Sequence, residues 1–261
     1  MNKVVSLKKL KGDKYLVEID KSGVKIPHII NENTIVKYHI LEGKEFSKDD
    51  YKRIIKDNEY EQLYQKAVSY ISYQMRTISE VKKHLRKDIK NETIIQKVID
   101  ELKSNRYLND LEYVKEYVTQ RIEFDLVGPN YIKDKLISKG IHFDIIKDAL
   151  VQYNDDLEYG KLFEIIKREI KYPQKKNYQK TYLALKKKCI SKGFSLNIIE
   201  SSLMSLKDDI KVMIDEENLL KNDIMKERSR YDLNDYTSKQ KFIKKLMQKG
   251  YPYELIKKHV K

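Results

Sequence analysis

The chain repeats itself, and the repeat limits what it can fold into. Four times along its 261 residues, a basic, helix-like stretch with apolar residues at i and i+4 is followed by a second apolar helix. The first stretches carry Val81/Leu85, Ile132/Leu136, Leu185/Cys189 and Phe242/Leu246. The second helices open with Ile94-Ile95, Ile145-Ile146, Ile198-Ile199 and Leu255-Ile256. Successive pairs lie 51, 53 and 57 residues apart. A unit this short cannot bury its apolar face alone, so neighbours must stack into a helical array. Such an array offers a long lateral surface and no obvious enclosed pocket, which points to binding before catalysis.

Between the paired helices the chain reads Lys139-Gly140, Lys192-Gly193 and Lys249-Gly250, with Asp88-Ile89 in a divergent first unit. The repeats run over residues 60–108, 109–156, 157–211 and 212–261. Each is expected to hold three helices, a longer one preceding the pair. Recurring caps support this: Thr77 with Glu80, Asn109/Asp110 before Leu111, Phe143-Asp144, and Thr237 with Gln240. Gly128-Pro129 places proline in a first helical turn, where its missing N–H costs nothing. Tyr172–Gln179, with Pro173, reads as a loop.

Residues 1–57 differ. Tyr15, Val17 and Ile19 alternate with Leu16, Glu18 and Asp20 after a Lys11-Gly12-Asp13 turn, with Val4 to Leu10 as the partner strand. Ser22-Gly23 makes a second turn before Val24 to Ile30, so a small β-ribbon is predicted. Asn31 is placed to cap a short helix over Thr34 to Leu41 that Gly43 ends. Ser47 to Asp50 then opens a helix with Tyr51, Ile54 and Ile55 inward. The fold class expected is mainly α: tandem three-helix repeats in an elongated, curved array behind a small β-containing domain.

The net charge of +14 is unevenly spread. Gly160 to Lys192 holds 11 Lys/Arg against 2 acids, and Lys241 to Lys261 holds 7 Lys against Glu254 alone. Cations this dense suit phosphates or an acidic partner, although a solvated lysine-rich face accounts for any one cluster equally well. With the apolar pairs turned inward, the residues between them point out. Lys82, Lys83, Lys133, Lys135, Lys186, Lys187, Lys188, Lys244 and Lys245 then form a basic stripe. Arg76, Arg86, Lys175 and Lys176 flank it. Tyr131, Tyr178, Tyr182, Tyr251 and Tyr253 lie nearby, where some could stack on unpaired bases and most would fill gaps between helices.

Other chemistries lack their residues. No glycine spacing forms a phosphate-cradling loop or a dinucleotide fingerprint. His28, His39, His84, His142 and His259 are scattered without metal-ligand spacing, so no metal and no cofactor is expected. Asp49-Asp50, Asp155-Asp156 and Asp208-Asp209 could serve a metal-dependent nuclease, but they fall at predicted helix ends, where capping explains them. Cys189 takes the place that Leu85, Leu136 and Leu246 hold in the other repeats, so it reads as a buried structural thiol. No apolar h-region occurs in residues 1–30 and no 18-residue apolar run occurs anywhere. A cytoplasmic monomer with no membrane partner is expected.

The motifs, taken in order, resemble the RecX family of bacterial RecA modulators. Ala67-Val68-Ser69-Tyr70-Ile71-Ser72 and Arg76-Thr77-Ile78-Ser79-Glu80-Val81 are similar to its opening pattern, which leads to a leucine, here Leu85. Tyr107-Leu108-Asn109-Asp110 matches its Tyr-Leu-x-Asp junction. Gly128-Pro129-Asn130-Tyr131-Ile132-Lys133-Asp134-Lys135-Leu136, followed by Lys139-Gly140-Ile141, matches its Gly-Pro stretch. Val127 departs from the lysine that commonly precedes the Gly-Pro, which weakens one phosphate contact without disturbing the helix start. The resemblance covers nearly the whole chain and is nearest the longer Gram-positive members. It implies a non-enzymatic regulator with no active site to carry across. Such a regulator lies along the groove of the RecA filament on single- or double-stranded DNA. There it modulates recombinase, ATPase and coprotease activity, inhibition being the expected sense. A nucleic-acid-binding repeat protein independent of RecA is the alternative from the charge pattern alone.

Overall fold

The computed structural model describes residues 1–260. The chain divides into two compact units: residues 1–113 with 139–141, and residues 114–138 with the segment from 142 onward.

The first unit opens with three antiparallel strands, β1 (Asn2–Lys9), β2 (Lys14–Lys21) and β3 (Val24–Asn31). Ser22 and Gly23 both have positive φ, the mirror-image turn whose twist matches a two-residue hairpin. Val17 and Ile19 turn inward by alternation and pack with Val4, Ile30, Ile40, Phe46 and Ile54. A two-residue strand β4 (Glu45–Phe46) pairs with β1, giving the order β3-β2-β1-β4. Strand pairing therefore reaches beyond the first thirty residues.

Helix α1 (Glu32–Tyr38) follows β3, but Asn31 makes no side-chain cap, and its own N–H donates to Asn58 Oδ1 at 2.9 Å. His39, in the left-handed region, ends α1 earlier than Gly43 would have done. Gly43 instead turns the chain toward β4, and its N–H donates to the Val4 carbonyl.

Helix α2 (Lys48–Ser72) starts at Ser47, whose hydroxyl accepts from the Asp50 N–H. It runs unbroken through the boundary expected at residues 57–60. One helix serves two cores: Ile54 packs under the sheet, while Leu63 and Ala67 join α3 (Ile78–Leu85) and α4 (Glu92–Ser104). Asn58 fixes the sheet end by donating from Nδ2 to the Ile29 carbonyl at 2.9 Å.

Helix α5 (Asp110–Phe124) enters the second unit, followed by α6 (Pro129–Ser138) and α7 (Phe143–Leu150). Next come α8 (Asp155–Glu169), α9 (Tyr178–Ser191) and α10 (Leu196–Ser205), then α12 (Glu216–Glu227), α13 (Tyr236–Gln248) and α14 (Tyr253–His259). A further helix, α11 (Lys207–Val212), makes the third repeat four-helical. Leu206, Ile210 and Ile214, spaced four apart, put an apolar edge on it that joins the core of α8 to α10.

All eight residues of the sequence-derived apolar pairs are buried, none more than 5% exposed. Burial pushes the Cys189 thiol up to about 11, which leaves it an inert packing group. Two caps differ from expectation. Helix α7 has His142 at its N-cap without a side-chain bond and stops at Leu150, and Asp235 rather than Thr237 caps α13, through the Ser238 N–H. Among the described residues, no helix is long and apolar enough to cross a membrane.

Candidate nucleic-acid interface

The surface is shaped by a joint that recurs three times. In each, a Lys-Gly turn between paired helices seats on the start of the second helix of the preceding repeat. Thr77 Oγ1 donates to the Lys139 carbonyl at 2.8 Å. The Gly128 N–H donates to the Lys192 carbonyl at 2.8 Å, and the Asn130 N–H to the Gly193 carbonyl at 3.0 Å. Asn177 Nδ2 donates to the Lys249 carbonyl at 2.8 Å. Gly140, Gly193 and Gly250 all have positive φ, and a Cβ on any of them would collide with the facing chain. Glycine is required twice over at these turns, by conformation and by approach.

This geometry assigns work to the family-motif residues. Thr77 and Glu80 form a reciprocal capping box at the start of α3. Asp110 Oδ1 accepts from the Ile78 N–H at 2.9 Å, so it caps α3, while Asn109 caps its own α5. Ser79 lies directly under Gly140. Lys139 Nζ reaches Glu80 at 2.7 Å. Burial would raise Glu80, but the Lys139 ammonium and the Thr77 amide hold its carboxyl below the usual value. Burial, joined by the nearby Glu80 carboxylate, raises Asp110 above its ordinary value against the pull of the Ile78 N–H and Lys103. Gly128 presses on Gly193, Pro129 fills the first turn of α6, and Leu85 and Leu136 are core. Tyr70 stacks on His84 with centroids 4.0 Å apart, and the Arg76 guanidinium lies 4.4 Å from the Tyr70 ring.

The cations of the expected stripe divide into two sets. Lys83, Lys135, Lys175, Lys176, Lys187, Lys244 and Lys245 are exposed, and Lys82 is half-buried. None of these eight forms an ion pair among the described residues. Lys135 lies 5.4 Å from the Tyr131 ring, and Lys133 donates to Asn130 Oδ1 at 3.0 Å. Three others are occupied. Arg86 holds Glu92 through two bonds of 2.7 and 2.9 Å, Lys186 pairs with Glu200 at 2.7 Å, and Lys188 pairs with Glu169 at 2.6 Å. Of Lys186, Lys187 and Lys188, two are thus engaged by acids, while Lys187 forms no ion pair among the described residues. Counting charge along the sequence missed these acids: Glu200 and Asp209 approach from α10 and α11, the latter to pair with Lys167.

The paired carboxylates fall in first turns, Asp49-Asp50 in α2, Asp155-Asp156 in α8 and Asp208-Asp209 in α11, where negative charge favours the helix dipole. Of the tyrosines near the stripe, Tyr251 is buried, whereas Tyr253 is exposed.

Two family models match this arrangement: the first three-helix domain of RecX over residues 64–102 and the second over residues 109–150. The regulatory protein RecX of Bacillus cytotoxicus is 30% identical over 260 residues, covering 97% of this chain and 94% of that protein. The chain belongs to the RecX family. The RecX of Bacillus thuringiensis subsp. konkukian is 31% identical over 206 residues, covering 78% of this chain and 76% of its own. The crystal structure of RecX from Lactobacillus salivarius shares 30% identity with a TM-score of 0.54, over 58% of this chain and 98% of that one. A second RecX crystal structure, at 23% identity and a TM-score of 0.58 over 77% of this chain, shares the fold. RecX relatives carry the name of regulatory proteins, and a regulatory role follows for this chain.

Proposed function

We propose that this RecX-family chain regulates RecA by binding the RecA–DNA filament as a monomer, without a cofactor and without catalysis of its own, and that it lowers recombinase, ATPase and coprotease activity. The observation that carries the DNA part of this reading lies in the second unit. There, Lys135, Lys187, Lys244 and Lys245 stand unpaired on the outer sides of α6, α9 and α13, opposite buried apolar pairs. Unpaired cations on rigid helices attract a phosphate backbone without needing to read its bases.

The deciding experiment is a titration of the chain into RecA hydrolysing ATP on single-stranded DNA. The rate should fall as the chain is added, and an unchanged rate at saturating chain refutes regulation of RecA. Pull-down of RecA from nuclease-treated lysate separates filament binding from stand-alone DNA binding, which predicts that all association is lost. If about six cations contact single-stranded DNA, the log–log salt slope should be about −4. Labelled DNA incubated with the chain and Mg²⁺ or Mn²⁺ should remain intact.

A further inference from the structure

A cavity of about 240 Å³ opens in the second unit where the loop before α9, the first turn of α9 and α12 converge. Lys175 and Lys176 reach it from the loop, Lys180 from α9 and Lys226 from α12. None of the four forms an ion pair among the described residues. The carboxylate in the wall, Asp223, is already engaged: it accepts from the Tyr251 hydroxyl at 2.9 Å and pairs with Lys249 at 3.3 Å. Lys249 also pairs with Glu227 at 3.1 Å. Four lysines without ion pairs thus line one small concavity whose wall carries the already engaged Asp223.

The backbone that carries Lys175, Lys176 and Lys180 is held in place. The Gln174 N–H donates to the Met213 carbonyl at 2.7 Å, and Gln174 Nε2 donates to the Tyr172 carbonyl at 2.7 Å, pinning the loop that carries Lys175 and Lys176. Asn177, 2% exposed, accepts from the Lys180 N–H while its amide holds the Lys249 carbonyl. On α12, Leu219, Asn222, Asp223 and Lys226 share one face by their i, i+3, i+4, i+7 spacing. The helix start adds little attraction of its own, because Glu216 already takes the Tyr178 N–H at 3.2 Å. Gathering unpaired lysines costs repulsion, which an anion entering the cavity relieves. The volume falls below the roughly 300–1,000 Å³ of pockets for drug-sized ligands, and suits a phosphoryl group with its sugar.

We infer that this cavity, built on the Lys249-Gly250 joint, seats one backbone phosphate of single-stranded DNA through Lys175, Lys176, Lys180 and Lys226. The inference rests on the DNA-binding part of the proposed function and gives that function a defined contact. Lys180 and Lys226 lie outside the stripe, on the first turn of one helix and the last turn of another.

The test measures binding of the full chain to oligo-dT without RecA, across a salt series. Lys180→Gln with Lys226→Gln should weaken binding on the order of tenfold and reduce the salt slope by about 0.7, one phosphate contact. Lys180→Arg with Lys226→Arg should restore both, and Lys115→Gln with Lys147→Gln, on other exposed surfaces, should change neither. Unchanged circular dichroism in the Gln pair excludes misfolding as the cause. If the parent binds oligo-dT and the Gln pair binds it equally well with the same slope, the pocket is overturned while the DNA reading stands. If the parent binds no DNA, both fall. Inorganic phosphate that saturates the parent but not the Gln pair, with oligo-dT binding equal in the two, assigns the cavity to free phosphate and overturns the inference.

Discussion

Gly193→Ala tests whether the Lys-Gly turns are joints or merely turns. Gly193 has φ +81° and faces the backbone of Tyr131, which cannot swing aside as a side-chain tip could. Gly43 has nearly the same φ, +82°, with nothing within 4 Å of a Cβ. Alanine at Gly43 should therefore cost only the left-handed conformation, about 1–2 kcal/mol. At Gly193 the same strain is joined by separation of the two backbone bonds to α6, each worth about 1 kcal/mol net, for a total of about 3–4 kcal/mol. Asparagine tolerates positive φ but still carries a Cβ, so Gly43→Asn should recover most of the loss and Gly193→Asn should not. Urea unfolding followed by circular dichroism measures all four variants. Equal losses for Gly193→Ala and Gly43→Ala, or rescue of Gly193 by asparagine, would refute the joint.

Phe242→Ala or Leu136→Ala, both fully buried, should cost about 2–5 kcal/mol by urea titration. Glu80→Gln should cost about 1–2 kcal/mol at pH 7, because it weakens the capping box and the bond from Lys139 together. Since the folded-state pKa of Glu80 is depressed, its contribution is present above the unfolded carboxyl value near 4.3 and is lost as pH falls through the folded value. The gap in melting temperature between the parent and Glu80→Gln should therefore shrink as pH falls below about 4.3, and a constant gap across pH would contradict this assignment. Lys187→Glu should leave stability within about 0.5 kcal/mol, because Lys187 is exposed and unpaired. Lys186→Glu with Lys188→Glu sets like charges against Glu200 and Glu169 and should cost more, with the excess shrinking at high salt.

The repeat, its helix pairs and its inward residues were all legible in the sequence. Helical burial is a local pattern: Val81/Leu85 and Phe242/Leu246 fall on one helix face wherever the helix packs, so spacing alone places them in a core. The same holds for the β2 alternation and for the Thr77–Glu80 box, whose partners lie within four residues of each other. Other features depended on which distant segments meet. The three Lys-Gly turns were visible as turns, but their role comes from a segment arriving 62 to 72 residues away in sequence, as Thr77 to Lys139 (62) and Asn177 to Lys249 (72) show. Lys187 and its neighbours looked alike because local pattern shows charge and not partners. The fold brings Glu200 and Glu169 to Lys186 and Lys188 and leaves Lys187 open. Likewise Asp110 reads as a cap for the helix it begins, yet it caps α3, 32 residues back. Periodicity encodes which side of a helix turns inward, whereas hydrogen bonds and ion pairs between repeats require two surfaces already brought within about 3 Å, which only tertiary packing supplies.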